Sequence, residues 1–466
     1  MAVSDKYMLA DVTSSVFRAY DIRGIVPEQL NENAYYTIGR AIATQLKAKN
    51  RHQIIVGRDG RLTSLALSKA LIAGLIDSGC DVTDIGMVPS PVLYFATNVL
   101  PIDSGVIVTG SHNPSDYNGI KIVLAGKTLV KADIEGLYQI ICQRDFINGE
   151  GKLVEHEIIS AYIDRIVSDL KLARPLKVVI DCGNGVAGSF APKLFRQLGC
   201  DVIELFCEVD GRFPNHHPDP SIEENLVDLK KAIALHQADL GLAFDGDADR
   251  IGVVTNEGEV IWPDRLMMLY AKALLADNPG ANIVYDVKCS SHLTSVIQQA
   301  GGNPLMCPTG HSIVKGLMKE KQALLAGEMS GHIFFQERWY GFDDGLYSAC
   351  RLLEIVSGQQ SSVSDQFKAI PDSINTPEIK ITIDEQHKFA FMDEFTGKAE
   401  FPDAHLITID GVRVEFPHGW GLVRASNTTP CLVARFEANS EQALQEIQSL
   451  IKQQLLAIEP TLDIPF

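Results

Sequence analysis

Three related α/β domains of βαβ type, followed by a smaller C-terminal α+β domain, all set around one central cleft, form the architecture that the sequence predicts. Three observations predict it. A strand–turn–helix–stop–strand unit recurs three times, and glycine follows its helix each time. The last segment then changes to alternating strands and one final amphipathic helix. Finally, each segment carries one polar loop directly after an apolar run, which is how a shared cleft is built.

The first copy of the unit is QIIVGRDGR from Gln53, a helical pattern from about Ser64 to Asp77, then Gly79-Cys80-Asp81 before a strand at Val82. The second is KVVIDCGNG from Lys177, a helix to about Leu198, then Gly199-Cys200-Asp201 before Val202. The third is NIVYDVKCS from Asn282, a helix to about Ala300, then Gly301-Gly302-Asn303 before Pro304. Strand, helix, strand in that order reads as a right-handed crossover between parallel strands. A repeat interval of more than about a hundred residues speaks for separate domains, because solenoid periods are far shorter. After the polar run Gly358 to Ser364 come NTPEIKITID, LITIDGVRVEF and GWGLVRASNTTPCLVARFEA, then a helix from about Ser440 to Leu456. Boundaries fall at 1–155, 156–259, 260–372 and 373–466, with a hinge expected over Ser361 to Asn375.

Composition narrows the function classes. At 466 residues, 46% hydrophobic and 21% charged, the chain is an ordinary globular protein. A net charge of -18 argues against general nucleic-acid binding but leaves room for a small anion held by a local Arg/Lys cluster. The nine cysteines are scattered without a CxxC pair and read as reduced core residues. With no signal-peptide pattern and no apolar stretch near the roughly 20 residues a bilayer needs, a cytoplasmic location without membrane contact is expected.

The polar loops carry the chemistry. TGSHNP, Thr109 to Pro114, follows the β-branched run Val106-Ile107-Val108 and sets Ser111 at a strand's carboxyl end. FDGDADR, Phe244 to Arg250, delivers Asp245, Asp247 and Asp249 after an apolar run. Three like charges call for a hard divalent cation, and oxygen ligands suit Mg²⁺. An EF-hand is excluded, since its glycine position holds Arg250 and its terminal glutamate position holds Asn256. GEMSGH offers Glu328 and Ser330 as acceptor and mixed donor, suited to a pair of sugar hydroxyls. CPTGHSIVK places Thr309, Gly310 and His311 between a strand and a helix. RASNTTP concentrates Arg424, Ser426, Asn427 and Thr428 as a phosphate cradle. FRAYDIRG brings Tyr20, Asp21 and Arg23 ahead of Gly24. The aspartates also admit another enzyme, in which Asp245 itself is phosphorylated and Asp247 assists, although Ala248 and Arg250 depart from that pattern.

Taken in this order, the motifs resemble the α-D-phosphohexomutase family over essentially the whole chain, most of all its bifunctional phosphomannomutase/phosphoglucomutase branch. The resemblance implies four domains around one cleft, Ser111 as the phosphate carrier, and one Mg²⁺ held by Asp245, Asp247, Asp249 and the Ser111 phosphate. It implies Glu328 and Ser330 as sugar readers, and Arg424, Ser426, Asn427 and Thr428 around the phosphate that is not transferred. Tyr20, Lys288, Thr309, Gly310 and His311 join the substrate contacts. Met329 separates this chain from phosphoglucosamine mutases, which typically have Gln there and remain the alternative within the family.

The implied reaction shifts phosphate between O1 and O6 of mannose or glucose through a 1,6-bisphosphate that turns over in the site. A glucose 1,6-bisphosphate-type sugar serves as activator. Arg250 neutralises the phosphoryl group in transfer. Lys121, in YNGIK, is the candidate general acid/base, with His112 and His332 as assistants. That role needs a lowered lysine pKa, for which Arg23 is the expected positive neighbour. A monomer acting on small hexose phosphates is expected.

Overall fold

A computed structural model describes residues 6–426 and 429–466. The chain folds as two compact units, neither of them one continuous stretch. Unit one comprises residues 1–263 and 330–368, and unit two comprises 264–329 and 369–466.

Unit one contains two sheets. In the first, Gln53–Arg58 lies parallel to both Asp81–Met87 and Gly105–Val108. Gly105–Val108 then pairs antiparallel with Tyr117–Leu124, so the TGSHNP loop is the turn between two antiparallel strands. Register sets Lys121 opposite Ile107 in the buried middle of that pair. In the second sheet, Lys177–Asp181 is parallel to Asp201–Leu205 and to Leu240–Phe244. Leu240–Phe244 pairs antiparallel with Ile251–Thr255, closing on Phe244 opposite Ile251. FDGDADR is therefore also a turn between antiparallel strands, projecting its aspartates from the sheet's carboxyl edge. The helix Gly345–Ser357, far later in the chain, packs on this second sheet.

Unit two holds the third βαβ copy. Asn282–Asp286 is parallel to Asn303–Cys307 and to Leu325–Gly327. It also holds an antiparallel sheet in which Cys431–Ala438 pairs with Gly419–Ala425 and Ile379–Thr382. The helices Lys388–Lys398 and Glu441–Ile458 supply Phe391, Phe395, Ile447 and Ile451 to its core. The four predicted domains, three βαβ and one α+β, are all present. The repeat has a physical basis: Gly79, Gly199 and Gly301 each take a positive φ after their helices, the conformation that stops a helix. Ser440 caps the final helix by accepting from the Ala443 N–H.

One expectation needs correction. Cys142 is exposed and Cys207 half-buried, so not every cysteine belongs to a core. The helix Val363–Lys368 begins inside the polar run Gly358 to Ser364. The chain leaves unit one directly after that helix, inside the predicted hinge range. Among the described residues, no helix is long and apolar enough to cross a membrane.

Candidate active site

The predicted residues fall into two groups, one in each unit. In unit one, Ser111 sits at the tip of its turn with a left-handed φ of 49°. For a non-glycine residue that conformation must be enforced by its surroundings. Enforcement comes from Asp59 and Arg61, two buried residues that sequence reasoning treated only as part of a turn. Asp59 accepts from the Gly110 N–H, while Arg61 donates to the carbonyls of Ser111, Asn113, Pro114 and Tyr117. One guanidinium thus gathers the whole loop. The DGR of the first repeat, directly after a strand, was the only signal available for this.

The aspartate turn meets the serine turn closely. A Cβ added to Gly246 would lie 2.3 Å from the Ser111 carbonyl oxygen, so only glycine fits. The Ser111 hydroxyl donates to Asp245 Oδ2 at 3.3 Å and lies 3.2 Å from His112 Nδ1. Asp245, Asp247 and Asp249 are all fully buried, with one oxygen of each within 4.8 Å of the others. Burial, then repulsion from Asp249 and Asp247, pushes the Asp245 carboxyl well above the usual range. A trio that cannot shed its charge to water favours a bound cation.

The surroundings of Lys121 differ from those its expected role needs. Its Nζ is 2.7 Å from Asp247 Oδ2 and also bonds Asp249 Oδ2. Burial alone would lower its pKa, but the two carboxylates outweigh that and hold it well above the ordinary value. Arg23 is likewise engaged elsewhere, with Asp21 at 2.5 Å and the Asn113 side chain. Tyr20 lies in the half-buried bend before the strand Ile22–Ile25.

Two histidines flank the cluster. Burial, then the guanidiniums of Arg250 and Arg23, drive His112 well below its ordinary pKa, leaving a neutral imidazole beside Ser111. His332 Nδ1 meets Ser330 Oγ at 2.9 Å, and its Nε2 is 3.2 Å from Asp249 Oδ1 and 3.3 Å from Arg250 Nε. Asp343, which sequence reasoning missed, completes a buried cluster with Asp249 and His332. Arg250 closes the turn by donating its N–H to Asp245 Oδ1.

In unit two, the helix His311–Lys321 starts after Gly310, whose φ of 139° excludes a side chain there. The Gly310 N–H donates to Glu328 Oε1 at 2.6 Å, and the Thr309 N–H to Asp410 Oδ2 at 2.9 Å. Arg424 Nε shares that same Asp410 oxygen, while the buried Arg424 Nη2 has no hydrogen-bond partner among the described residues. Asp410 had no sequence signal. Lys288 Nζ donates to Glu378 Oε1 at 2.6 Å, and this partner holds the Glu378 carboxyl down to about 2. The loop carrying Lys288 is fixed from below. Arg413 donates to the carbonyls of Val287 and Cys289, Arg435 to that of Lys288, and Arg413 lies 3.9 Å over the Trp420 ring. Ser426 Oγ meets Thr429 Oγ1 at 2.8 Å, while Asn427 and Thr428 lie outside the described residues.

Unit one thus offers a hydroxyl beside a buried carboxylate trio, and unit two offers cations and amide donors beside Glu328. Comparison with known proteins covers segments of both units. Four family models match in order: phosphoglucomutase/phosphomannomutase alpha/beta/alpha domain I over 14–148, domain II over 160–258, domain III over 262–374, and the C-terminal domain over 378–454. A phosphomannomutase/phosphoglucomutase of Pseudomonas putida is 55% identical over 457 residues, covering 98% of this chain and 99% of that protein. A phosphoglucomutase of Neisseria gonorrhoeae is 51% identical over 448 residues, covering 95% and 97%. A solved phosphoglucomutase/phosphomannomutase family protein from Burkholderia thailandensis superposes with a TM-score of 0.94 at 47% identity, covering 98% of this chain and 100% of that one.

Proposed function

The chain belongs to the phosphoglucomutase/phosphomannomutase family of phosphohexomutases, which are isomerases, and from that premise we propose a Mg²⁺-dependent enzyme that interconverts hexose 1-phosphates and hexose 6-phosphates of mannose and glucose through a phosphoserine at Ser111 and a 1,6-bisphosphate intermediate. The observation that carries this reading is the Ser111 hydroxyl seated 3.3 Å from the first of three buried aspartates.

The residues fit a hard cation. Every donor in the trio is a carboxylate oxygen, and the buried Asp247 Oδ1 has no hydrogen-bond partner among the described residues. Asp245, Asp247 and Asp249 would hold the ion, which when bound supplies electrostatic stabilisation for the phosphoryl group beside it. The rest is the work of side chains. In the forward transfer a sugar hydroxyl forms its O–P bond as the Ser111 Oγ–P bond breaks, and its proton passes to a base, the role proposed for His332. Arg250 and the protonated Lys121 balance the phosphoryl charge. In the return, Ser111 is the nucleophile, and the neutral His112 at 3.2 Å accepts its proton. Arg424 and Lys288 are the proposed ligands of the distal phosphate, with Thr309, Gly310, His311, Ser426, Asn427 and Thr428 completing its surroundings. Glu328 and Ser330 read the sugar hydroxyls, and Tyr20 and Arg23 border the phosphoserine loop. The segments 1–155, 156–259, 260–372 and 373–466 are the proposed division of labour, and the same reading makes the enzyme a cytoplasmic monomer.

Priming tests this directly. Dephosphorylated enzyme is expected to be nearly inactive on glucose 1-phosphate or mannose 1-phosphate until glucose 1,6-bisphosphate is added. Full turnover without priming refutes the carrier role. Intact-mass analysis after incubation with the bisphosphate should show about 80 Da added to wild type and Asp245→Asn but not to Ser111→Ala. Phosphate retained by the Ser111→Ala protein would transfer the carrier role to Asp245.

A further inference from the structure

The helix Ser90–Val99 lies outside every loop discussed so far, yet its first residue reaches the aspartate turn. Ser90 is fully buried. Its hydroxyl donates to Asp247 Oδ2 at 2.5 Å, and its N–H donates to the Asp247 carbonyl at 3.1 Å. Two bonds from one residue therefore hold residue 247 by side chain and main chain at once. Lys121 adds a second donor on the same Oδ2. The two carboxylate oxygens end up in different states: Oδ2 carries two donors, while Oδ1 is buried without a hydrogen-bond partner among the described residues.

We propose that Ser90 is a positioning residue for the cation site, fixing the rotation of the Asp247 carboxylate so that Oδ1 alone is presented to the ion. The inference rests on the metal reading of the aspartate trio. Lys121 alone is a poor substitute, because an ammonium on a four-carbon stem follows the oxygen it bonds. Ser90 has no such freedom. Pro89 before it and Pro91 after it fix the entry to the helix, and the serine side chain has a single torsion to its hydroxyl. Outer groups that orient a metal-binding carboxylate commonly change metal affinity 10- to 100-fold when removed.

The test is a Mn²⁺ titration of the full chain, read by electron paramagnetic resonance of the free ion. Wild type, Ser90→Ala, Ser90→Cys, Ser90→Thr and Asp247→Asn are compared, with thermal midpoints recorded for each. Ser90→Ala should weaken Mn²⁺ binding about tenfold or more, while its main-chain bond to residue 247 survives. Ser90→Cys, close in size but a weak donor, should follow it, and Ser90→Thr should restore binding to within about threefold. The inference is overturned if Ala or Cys binds as wild type does, or if Thr is as weak as Ala. A wild type that binds no Mn²⁺, or an Asp247→Asn protein that binds normally, would remove the metal reading and this inference with it.

Discussion

Gly246→Ala is the sharpest single perturbation of this site. The added methyl carbon would stand 2.3 Å from the Ser111 carbonyl oxygen, where real Cβ contacts essentially never fall under 3.0 Å. Something must move by about 0.7 Å, and neither side yields easily. Ser111 is tied through its carbonyl to Arg61, and residues 245 and 250 are tied through the Asp245 carboxylate. Gly246 has no positive φ, so alanine brings no backbone penalty of its own, and the effect isolates separation of the two turns. A displacement approaching 1 Å between reacting groups can cost about 100-fold in rate. Turnover on glucose 1-phosphate, followed by coupled oxidation of glucose 6-phosphate, should therefore fall about 100-fold with little change in KM. Gly397→Ala, in a helix with open space around it, is the matched control and should leave turnover unchanged. If Gly246→Ala turns over like wild type, the contact between the two turns does not set the catalytic geometry.

Two other perturbations probe the scaffold. Asp344 is buried among donors from Tyr162, Trp339 and Tyr347, and burial raises its carboxyl to about 7 against an ordinary 3.8. The folded state then holds a proton that the unfolded chain has lost, so this residue's contribution to stability falls as pH rises from about 4 to about 7 and is flat above. Thermal midpoints of Asp344→Asn should lose that slope across pH 5 to 8, and an unchanged slope would show another group is responsible. Arg61→Met should strip four carbonyls of their donor and leave Asp59 unpaired, costing about 3–5 kcal/mol locally. Hydrogen exchange should rise over residues 110–117 well above its rise elsewhere in unit one, and a uniform increase would deny Arg61 its specific hold on the serine turn.

Much of this fold is legible from the chain because its signals are local. An apolar run, a helical period and a glycine stop are each written within some thirty residues, and the three copies reinforce one another. The candidate-site loops are legible for the same reason, being polar turns directly after buried strands. Partnerships across long separations are not. Arg61 serves carbonyls 50 to 56 residues away, and Ser90 serves a carboxylate 157 residues away. Nothing near Asp410 announces its bonds to Arg424 and Thr309. Lys121 shows how the sign of an effect is hidden. The sequence reveals a lysine in an apolar strand, where burial lowers a pKa, but not the two aspartates facing it, which raise it further than burial depresses it.

The discontinuity of unit one has a consequence for its synthesis. Phe95 and Tyr162 are made early, yet the rings that pack against them belong to Trp339 and Tyr340, and the carboxylate that Tyr162 bonds belongs to Asp344. On the ribosome, the first 263 residues can collapse around their own two sheets but must wait with that aromatic surface uncovered. The whole of 264–329 emerges before the closing segment arrives. Until then the growing chain lacks the rings that cover Phe95 and Tyr162 in the folded protein. A fragment cut after residue 263 would lack them permanently, and adding back residues 330–368 as a peptide is the remedy its structure prescribes.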